Sequence, residues 1–199
     1  MENKNAVKRN LICYPIGTIG RDALYALINS YLQFIEKAHP EVEEFEYWED
    51  IMDQMDFLKK LLEDLSFYNN SAKLRREPVH ISSFLAKLTD RLRPAYAYLG
   101  IRLIYEDRIR EAEIVLSLDT VKIQQALLNL MRNACESIED AGEIHLLLKE
   151  DGPALCIQIA DTGCGIDPEH LPTLFDPFIT HKEYGSGLGL AIVRQVIRA

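Results

Sequence analysis

Long apolar runs are missing from this sequence of 199 residues. A transmembrane helix needs about 18 or more consecutive apolar residues, and no stretch reaches that length. The opening residues carry basic side chains but only a very short apolar run, which makes a poor secretory signal peptide. We therefore expect a cytoplasmic chain with no membrane segment.

Positive charge and cysteine are both scarce, and each shortage argues against a class of site. The chain has 22 lysines and arginines against 31 aspartates and glutamates, which gives a net charge of −9 at pH 7. Because nucleic-acid backbones attract basic surfaces, this balance argues against a nucleic-acid partner. Cys13, Cys135, Cys156 and Cys164 lie far apart without a CxxC pair, which argues against a disulfide framework or a zinc site.

What the first half of the sequence does have is helical periodicity. Apolar residues recur at alternating steps of three and four, a spacing that packs one helix against another. The two runs are Leu24, Leu27, Tyr31, Phe34 and Ala38, then Trp48, Ile51, Met55, Leu58, Leu62 and Leu65. Pro40 separates them and ends the first helix at or before the preceding residue. These patterns predict a tail at 1–15 and an antiparallel helical hairpin over 16–70.

A single hairpin leaves most of its apolar seam uncovered. Dimerisation into a four-helix bundle would bury the seam of both copies, and the length of the seam favours this arrangement. Packing of the hairpin on the second half of the same chain is the alternative. We therefore expect a homodimer formed through residues 16–70.

The second half of the chain mixes strands with helices. Residues 71–79 are polar and predict a linker, after which residues 80–199 predict a second domain. Helices are predicted over 81–99, 119–138 and 188–199, and strands over 101–105, 113–118, 143–149 and 154–160. Asp119 is placed to cap the middle helix. The pattern predicts an α+β sandwich with helices on one face of a mixed sheet.

Two asparagines lie four residues apart on the helix predicted over 119–138. Asn129 and Asn133 therefore project from one side of it. An amide oxygen is a suitable hard ligand for Mg²⁺, in a shell completed by phosphate oxygens and water. Such a pair can also be plain polar surface, so its meaning depends on the motifs that follow.

An acidic residue and two glycines follow the last predicted strand, as Asp161-Thr162-Gly163-Cys164-Gly165. An aspartate at a strand end can accept a hydrogen bond from an exocyclic amino group such as that of adenine. Gly163 and Gly165 let the backbone approach a flat ring. An apolar strand followed by Asp-Thr-Gly also resembles the active-site loop of an aspartic protease, which needs two such loops and therefore a dimer of this chain.

Glycines also open the last predicted helix, in the segment Gly185-Ser186-Gly187-Leu188-Gly189. Backbone N–H groups at a helix N-terminus bind phosphate, aided by the helix dipole. The dinucleotide-binding fingerprint does not fit, because no strand directly precedes the segment and the spacing is G-x-G-x-G. A Walker A loop does not fit either, because no Gly-Lys-Ser/Thr follows.

Two phenylalanines and a lysine lie between the glycine motifs. Phe175 and Phe178 could anchor a mobile loop over a nucleotide, and Lys182 could reach a terminal phosphate. The alternative is that both aromatic side chains belong to the core. Taken in this order and separation, the asparagines, the acidic turn and the glycine loop predict a pocket for Mg-ATP.

These segments resemble the ATP-binding domain of the sensor histidine kinases, in the wider family that includes gyrase, Hsp90 and MutL. The resemblance covers residues 80–199, and the upstream hairpin resembles the core of sporulation-type sensor kinases. It implies that Asn133 holds Mg²⁺, that Asp161 binds adenine and that residues 186–189 cradle the phosphates. The residues that it assigns to the nucleotide are Asn129, Asn133, Asp161, Gly163, Gly165, Phe175, Phe178, Lys182, Gly185, Ser186, Gly187, Leu188 and Gly189.

The resemblance also bears on the reaction and on the size of the sheet. Relatives that hydrolyse ATP carry a glutamate where this chain has Asn129, so the resemblance implies a phosphotransferase of the protein-histidine kinase family rather than an ATPase. The family adds a glycine turn and two strands after the helix that is predicted at 188–199. The expected fold therefore lacks its last two strands, either because the sequence is truncated or because the sheet is smaller than in the family.

The chain departs from the family where the phosphate acceptor is expected. The first helix of the hairpin carries an acceptor histidine in that family, and in register this position falls on Thr18, followed by Ile19. A threonine hydroxyl needs a general base to attack phosphorus, and Ile19 cannot supply one. The five histidines of the chain are interpreted as surface or loop side chains: His39, His80, His145, His170 and His181.

Three functions follow as hypotheses. The first is an Mg-ATP-binding protein of two-component signalling whose phosphoryl-transfer site is intact and whose own acceptor is lost, acting on a partner in trans. The second is a non-catalytic regulator that binds ATP as a switch and sequesters a kinase or a response regulator. The third is a dimeric aspartic protease. The first two predict ATP and Mg²⁺ as ligands, and a second copy, a response regulator or a kinase as partners.

Overall fold

The computed structural model describes residues 18–70, 74–110, 114–182 and 185–199. The predicted tail at 1–15, the linker residues 71–73 and Glu113 lie outside the described residues, as do the side chains of Thr18 and Ile19. The chain divides after Leu62 into two compact units.

The first unit is helical, as the periodicity predicted. Helix α1 spans Thr18–Ala38, a short 3-10 helix spans Pro40–Glu44, and helix α2 spans Trp48–Asn70 and continues into the second unit. The first helix ends two residues before Pro40, because proline disfavours helical backbone in the residue that precedes it. Both predicted helices are confirmed.

The apolar seam of α1 faces away from its own unit. Its side chains are between 51% and 70% exposed, and they are Leu24, Leu27, Tyr31 and Phe34. Val42 and Met55 are buried. The homodimer through this seam stays a prediction. No helix in the described ranges is both long and apolar enough to cross a bilayer.

The second unit is built on a mixed three-stranded sheet. Its strands are β2 (Ile101–Arg108), β4 (Gly142–Asp151) and β5 (Ala154–Asp161), in the order β2-β4-β5. β2 runs parallel to β4, and β4 pairs antiparallel with β5. Gly152 forms the turn of that hairpin with a φ of +60°, where glycine is favoured. The mixed sheet and its hairpin are as predicted.

Two helices cover one face of this sheet. Helix α3 (Ile81–Tyr98) and helix α4 (Thr120–Glu136) pack on the alternate residues of β4 that point to that face. Three of these residues have no exposed surface: Ile144, Leu146 and Leu148. The arrangement follows from the period of two in the strand and the apolar stripe of each helix.

A second, two-stranded sheet was not predicted in full. β1 (Glu77–His80) pairs antiparallel with β3 (Val115–Leu118). The sequence analysis placed residues 77–79 in a linker, because the stretch that leads up to Pro78 is polar. The strand forms through its partner β3, which only tertiary structure brings beside it.

The N-terminus of α4 is capped by a buried carboxylate, as predicted. Asp119 accepts hydrogen bonds from the backbone N–H of Lys122 at 3.1 Å and of Arg75 at 2.7 Å. Burial alone would raise the pKa of Asp119, but the N–H groups of Arg75, Lys122 and Val121 and the charge of Lys122 together outweigh it, so the pKa lies below the usual 3.8. Asp119 thus joins the chain before β1 to the helix that carries both asparagines.

Replacing Asp119 with alanine should destabilise the second unit by about 2 kcal/mol at pH 7, because it removes an N-cap and leaves the Arg75 N–H unpaired. The ionised form stabilises the fold, so its contribution is complete above pH 3.8 and is lost as pH falls through the lower folded-state pKa. Thermal unfolding at pH 7 and near pH 3 measures this. Asp119→Asn keeps one acceptor oxygen and should therefore lose less stability than Asp119→Ala. Equal stability of Asp119→Ala and wild type at pH 7 would contradict the cap.

Candidate functional site

The end of α4 meets the end of β5 through one aspartate. Asp161 is the last residue of β5, and its Oδ1 accepts hydrogen bonds from the Gly163 N–H at 3.0 Å and from the Ser137 hydroxyl at 3.1 Å, whose proton is shared with the Ala134 carbonyl oxygen at 2.7 Å. Within the described ranges no protein donor reaches the other oxygen, Oδ2, and the side chain is exposed. The carboxylate is therefore fixed on one side and open to a ligand's donor on the other.

Gly163 is required where the turn after β5 packs against α4. A Cβ at this position would lie 2.0 Å from Ser137 Oγ and 2.6 Å from the Ser137 carbonyl oxygen. The Cys164 N–H donates to that same carbonyl oxygen at 3.0 Å. The glycine thus lets the acidic turn lie directly on the C-terminus of the helix that carries Asn133.

Asn129 joins α4 to the glycine loop. Its side chain is only 4% exposed, and its amide donates to the Gly189 carbonyl oxygen at 3.2 Å. Helix α5 (Gly189–Arg198) begins at that residue. The contact places the start of α5, and the loop before it, beside the middle of α4. Asn129 thus connects the two helices by a buried hydrogen bond, and its amide is not exposed to solvent.

The ammonium group of Lys182 lies beside Asn133. The Lys182 ammonium donates to Asn133 Oδ1 at 3.2 Å and forms an ion pair with the Glu136 carboxylate. All three side chains are partly or largely solvent-accessible. The Asn133 oxygen is therefore directed into the open site and lies where a positive charge is stabilised, which is the environment that a hard metal ion requires.

The segment that holds the two phenylalanines is tied to the glycine loop by backbone. Phe178 donates its N–H to the Gly187 carbonyl oxygen at 3.0 Å and has a φ of +66°, which is uncommon for a residue other than glycine. Phe178 is 66% exposed and Phe175 is 38% exposed. Neither is therefore a buried core residue, which was the alternative interpretation of this pair.

Ser186 of the glycine loop is engaged on both sides. Its hydroxyl donates to Asp64 Oδ2 at 2.7 Å and accepts from the Leu188 N–H at 3.2 Å. Leu188 is buried and belongs to an apolar cluster with residues of α4 and α5. The loop is thus anchored by Leu188 and held at its hydroxyl by a carboxylate from α2.

Hydrogen bonds join some of the residues predicted from sequence, and three further side chains take part. Hydrogen bonds link Asn129, Asn133 and Asp161 to the glycine loop, to Lys182 and to the turn after β5, respectively. The sequence analysis missed three side chains of the same site: Ser137, Glu136 and Asp64. Ser137 could have been found one turn after Asn133, whereas nothing in the sequence connects Asp64 to a loop 122 residues away.

Comparison with known proteins bears on the family of this chain. Residues 118–199 match the family described as histidine kinase-, DNA gyrase B- and HSP90-like ATPase. The sensory histidine kinase/phosphatase NtrB of Rhodobacter capsulatus is 32% identical over 171 residues, which cover 78% of this chain and 46% of NtrB. The chain spans less than half the length of the curated relatives it matches.

Two solved structures share the fold. Full-length ShkA in complex with AMPPNP matches with a TM-score of 0.65 at 23% identity, over 91% of this chain and 41% of ShkA. Histidine kinase ThkA in complex with the response regulator TrrA matches with a TM-score of 0.63 at 18% identity, over 90% of this chain and 51% of that chain. Both likenesses include the helices before the α/β domain. The chain is therefore a homologue of the sensor histidine kinases, the phosphotransferase family of two-component signalling, and it carries the ATP-binding domain of that family at residues 118–199.

Proposed function

We propose that the second unit binds Mg-ATP between the C-terminal half of α4, the turn after β5 and the glycine loop at 185–189. One observation carries the proposal: hydrogen bonds from Asn129 to Gly189 and from Ser137 to Asp161 bring these three segments to one place. The open oxygen of Asp161 suits the amino group of adenine, and the loop before α5 suits phosphates. ShkA, which shares the fold, was solved with a nucleotide analogue.

The donors at Asn133 fit a magnesium ion. The Asn133 oxygen and the Glu136 carboxylate both lie on Lys182, so two hard oxygen atoms already share one cation. When Mg-ATP binds, Asn133 would hold the ion and Lys182 would exchange its present partners for a phosphate oxygen. The ion would supply charge neutralisation at the phosphates.

Transfer is favoured over hydrolysis by the chemistry of Asn129. A hydrolase needs a base to activate water, and a neutral amide cannot accept that proton. Asn129 is in addition buried and donates to Gly189, which removes it from contact with solvent. We therefore infer a site that positions ATP for attack by a protein side chain.

The missing phosphate-accepting histidine is the distinctive feature of the proposal. Thr18 occupies the position of the family's histidine, and we propose that this chain does not phosphorylate itself there but acts on a partner in trans. A response regulator or another kinase is the expected partner, and ThkA was solved with a response regulator.

The exposed seam of α1 is proposed to pair two copies of the chain. The Asp-Thr-Gly likeness to a protease has no support from the relatives.

Incubation of the chain with γ-labelled ATP and Mg²⁺ should leave the protein itself unlabelled, because no imidazole occupies the acceptor position. A reference kinase with its acceptor histidine, treated alongside, should take up acid-labile label. A variant with Thr18→His tests the register, since it should gain label if the hairpin otherwise fits the family. Filter binding before and after acid treatment distinguishes the outcomes.

Three results would change the proposal. Acid-labile label on the wild-type chain would show that one of its own histidines accepts phosphate and would refute the lost acceptor. Nucleotide binding without transfer to any added response regulator or kinase would favour the non-catalytic regulator. Absence of nucleotide binding would refute both.

A further inference from the structure

A buried carboxylate touches the glycine loop from outside the matched domain. Asp64 lies on α2, well before residue 118, where the family match begins. It is 5% exposed, and its Oδ2 accepts the Ser186 hydroxyl at 2.7 Å. Because burying a charged carboxylate is unfavourable, this contact calls for a reason beyond packing.

The position of Asp64 is fixed by its neighbours on α2. Leu65, Phe67 and Tyr68 pack against the apolar cluster that includes Leu188 and α5. The end of the helix is held as well, because the Lys122 ammonium donates to the Asn70 carbonyl oxygen at 2.5 Å. Asp64 is thus presented to the loop on a well-anchored segment of the same compact unit.

In the part of the chain that the structure describes, no neighbouring cation neutralises the charge of Asp64. Among the described residues no lysine, arginine or histidine forms a salt bridge with it, and its hydrogen-bond partner is a neutral hydroxyl. The carboxylate therefore places a negative charge, unpaired with any cation of the described residues, against the loop that is proposed to bind phosphates. Like charges at short range in a partly buried site repel strongly.

The contact also occupies the donors that a phosphate would use. Ser186 has one hydroxyl proton and gives it to Asp64, while the Leu188 N–H is donated to Ser186. A phosphate oxygen can accept from Ser186 only after that proton turns away from the carboxylate. Charge and hydrogen bonding thus act in the same direction, against phosphate.

We propose that Asp64 is a positioning and specificity-determining residue that weakens nucleotide binding in proportion to the number of phosphates. It acts through its hydrogen bond with Ser186 and through its charge. The proposal rests on the nucleotide site proposed above. It makes the affinity of the site for polyphosphate depend on a residue of α2.

The test compares adenosine, ADP and ATP, each with Mg²⁺, by calorimetric titration of the full chain. Asp64→Asn keeps an oxygen that accepts the Ser186 hydroxyl and removes only the charge. It should bind ATP about tenfold more tightly than wild type, the effect expected of one nearby like charge. The gain should be smaller for ADP and absent for adenosine.

Glu63→Gln is the matched control, because it removes the same charge from an exposed position one residue earlier. It should leave all three affinities unchanged. Thermal unfolding of each variant checks that it is folded. If Asp64→Asn fails to fold, Asp64→Ser removes the charge in a smaller side chain and should show the same graded gain.

The outcomes separate the two proposals. Unchanged or weaker ATP binding by a folded Asp64→Asn, or an equal change for all three ligands, would overturn the role of Asp64 and leave the nucleotide site standing. If neither wild type nor Asp64→Asn binds any of the three ligands, the nucleotide site itself is refuted. A gain that rises from adenosine to ATP supports the proposal, because a purely structural role would not depend on phosphate number.

Discussion

Replacing Asn133 with alanine should abolish the Mg²⁺-dependent part of ATP binding, a loss of more than about a hundredfold in affinity. The side chain offers the amide oxygen that already accepts the Lys182 ammonium, and alanine offers no oxygen at all. Glu136 would be left with Lys182 alone, so the competing ion pair should become tighter. Titration of ATP with Mg²⁺ in excess measures the loss.

The control for this prediction is the same titration with a chelator in place of the metal. Without Mg²⁺ the two proteins should bind ATP equally weakly, because Asp161 and the glycine loop are unchanged in the variant. The variant should also unfold at nearly the wild-type temperature, since Asn133 is partly exposed. If the variant keeps a gain in affinity on addition of Mg²⁺, the ion is held elsewhere and Asn133 has been misassigned.

Sequence patterns were sufficient where a single element carries the signal. The helices α3 and α4, the cap at Asp119 and the hairpin of β4 and β5 all follow from local periodicity and turn residues. β1 could not be predicted in this way, because a four-residue strand that contains Pro78 has no periodicity and depends on its pairing with β3.

In the candidate site too, residues with a local sequence pattern could be predicted and their partners could not. Asparagines, aspartate and glycines at fixed spacing predict the proposed nucleotide pocket, because each lies on a segment with its own chemical pattern. The partners of these residues have no such pattern. Glu136 takes part through an ion pair with Lys182, and Asp64 through a hydrogen bond to Ser186, and both contacts are formed only by folding. The contacts that restrain the proposed site could therefore not be predicted from the sequence.

Replacing Gly187 with alanine should destabilise the second unit by about 3 kcal/mol or more and remove ATP binding. Gly187 has a φ of +64°, which disfavours any side chain. Its Cβ would also lie 2.6 Å from the Phe178 carbonyl carbon and 2.8 Å from the Ile179 nitrogen. These are backbone atoms that cannot rotate away, so the loop must separate from the phenylalanine segment and break the hydrogen bond between Phe178 and Gly187.

Gly152→Ala provides a matched comparison, because Gly152 has nearly the same φ of +60° but no atom within 4 Å of its Cβ. It lies in the turn between β4 and β5 and should cost only about 1 kcal/mol, the conformational term alone, with ATP affinity unchanged. Thermal unfolding and ATP titration of both variants separate the two contributions. Leu188 is anchored in the apolar cluster. Movement at Gly187 must therefore displace the residues of the loop before it, at the proposed phosphate site. Equal effects of the two substitutions would mean that the contact with Phe178 does not hold the loop in place.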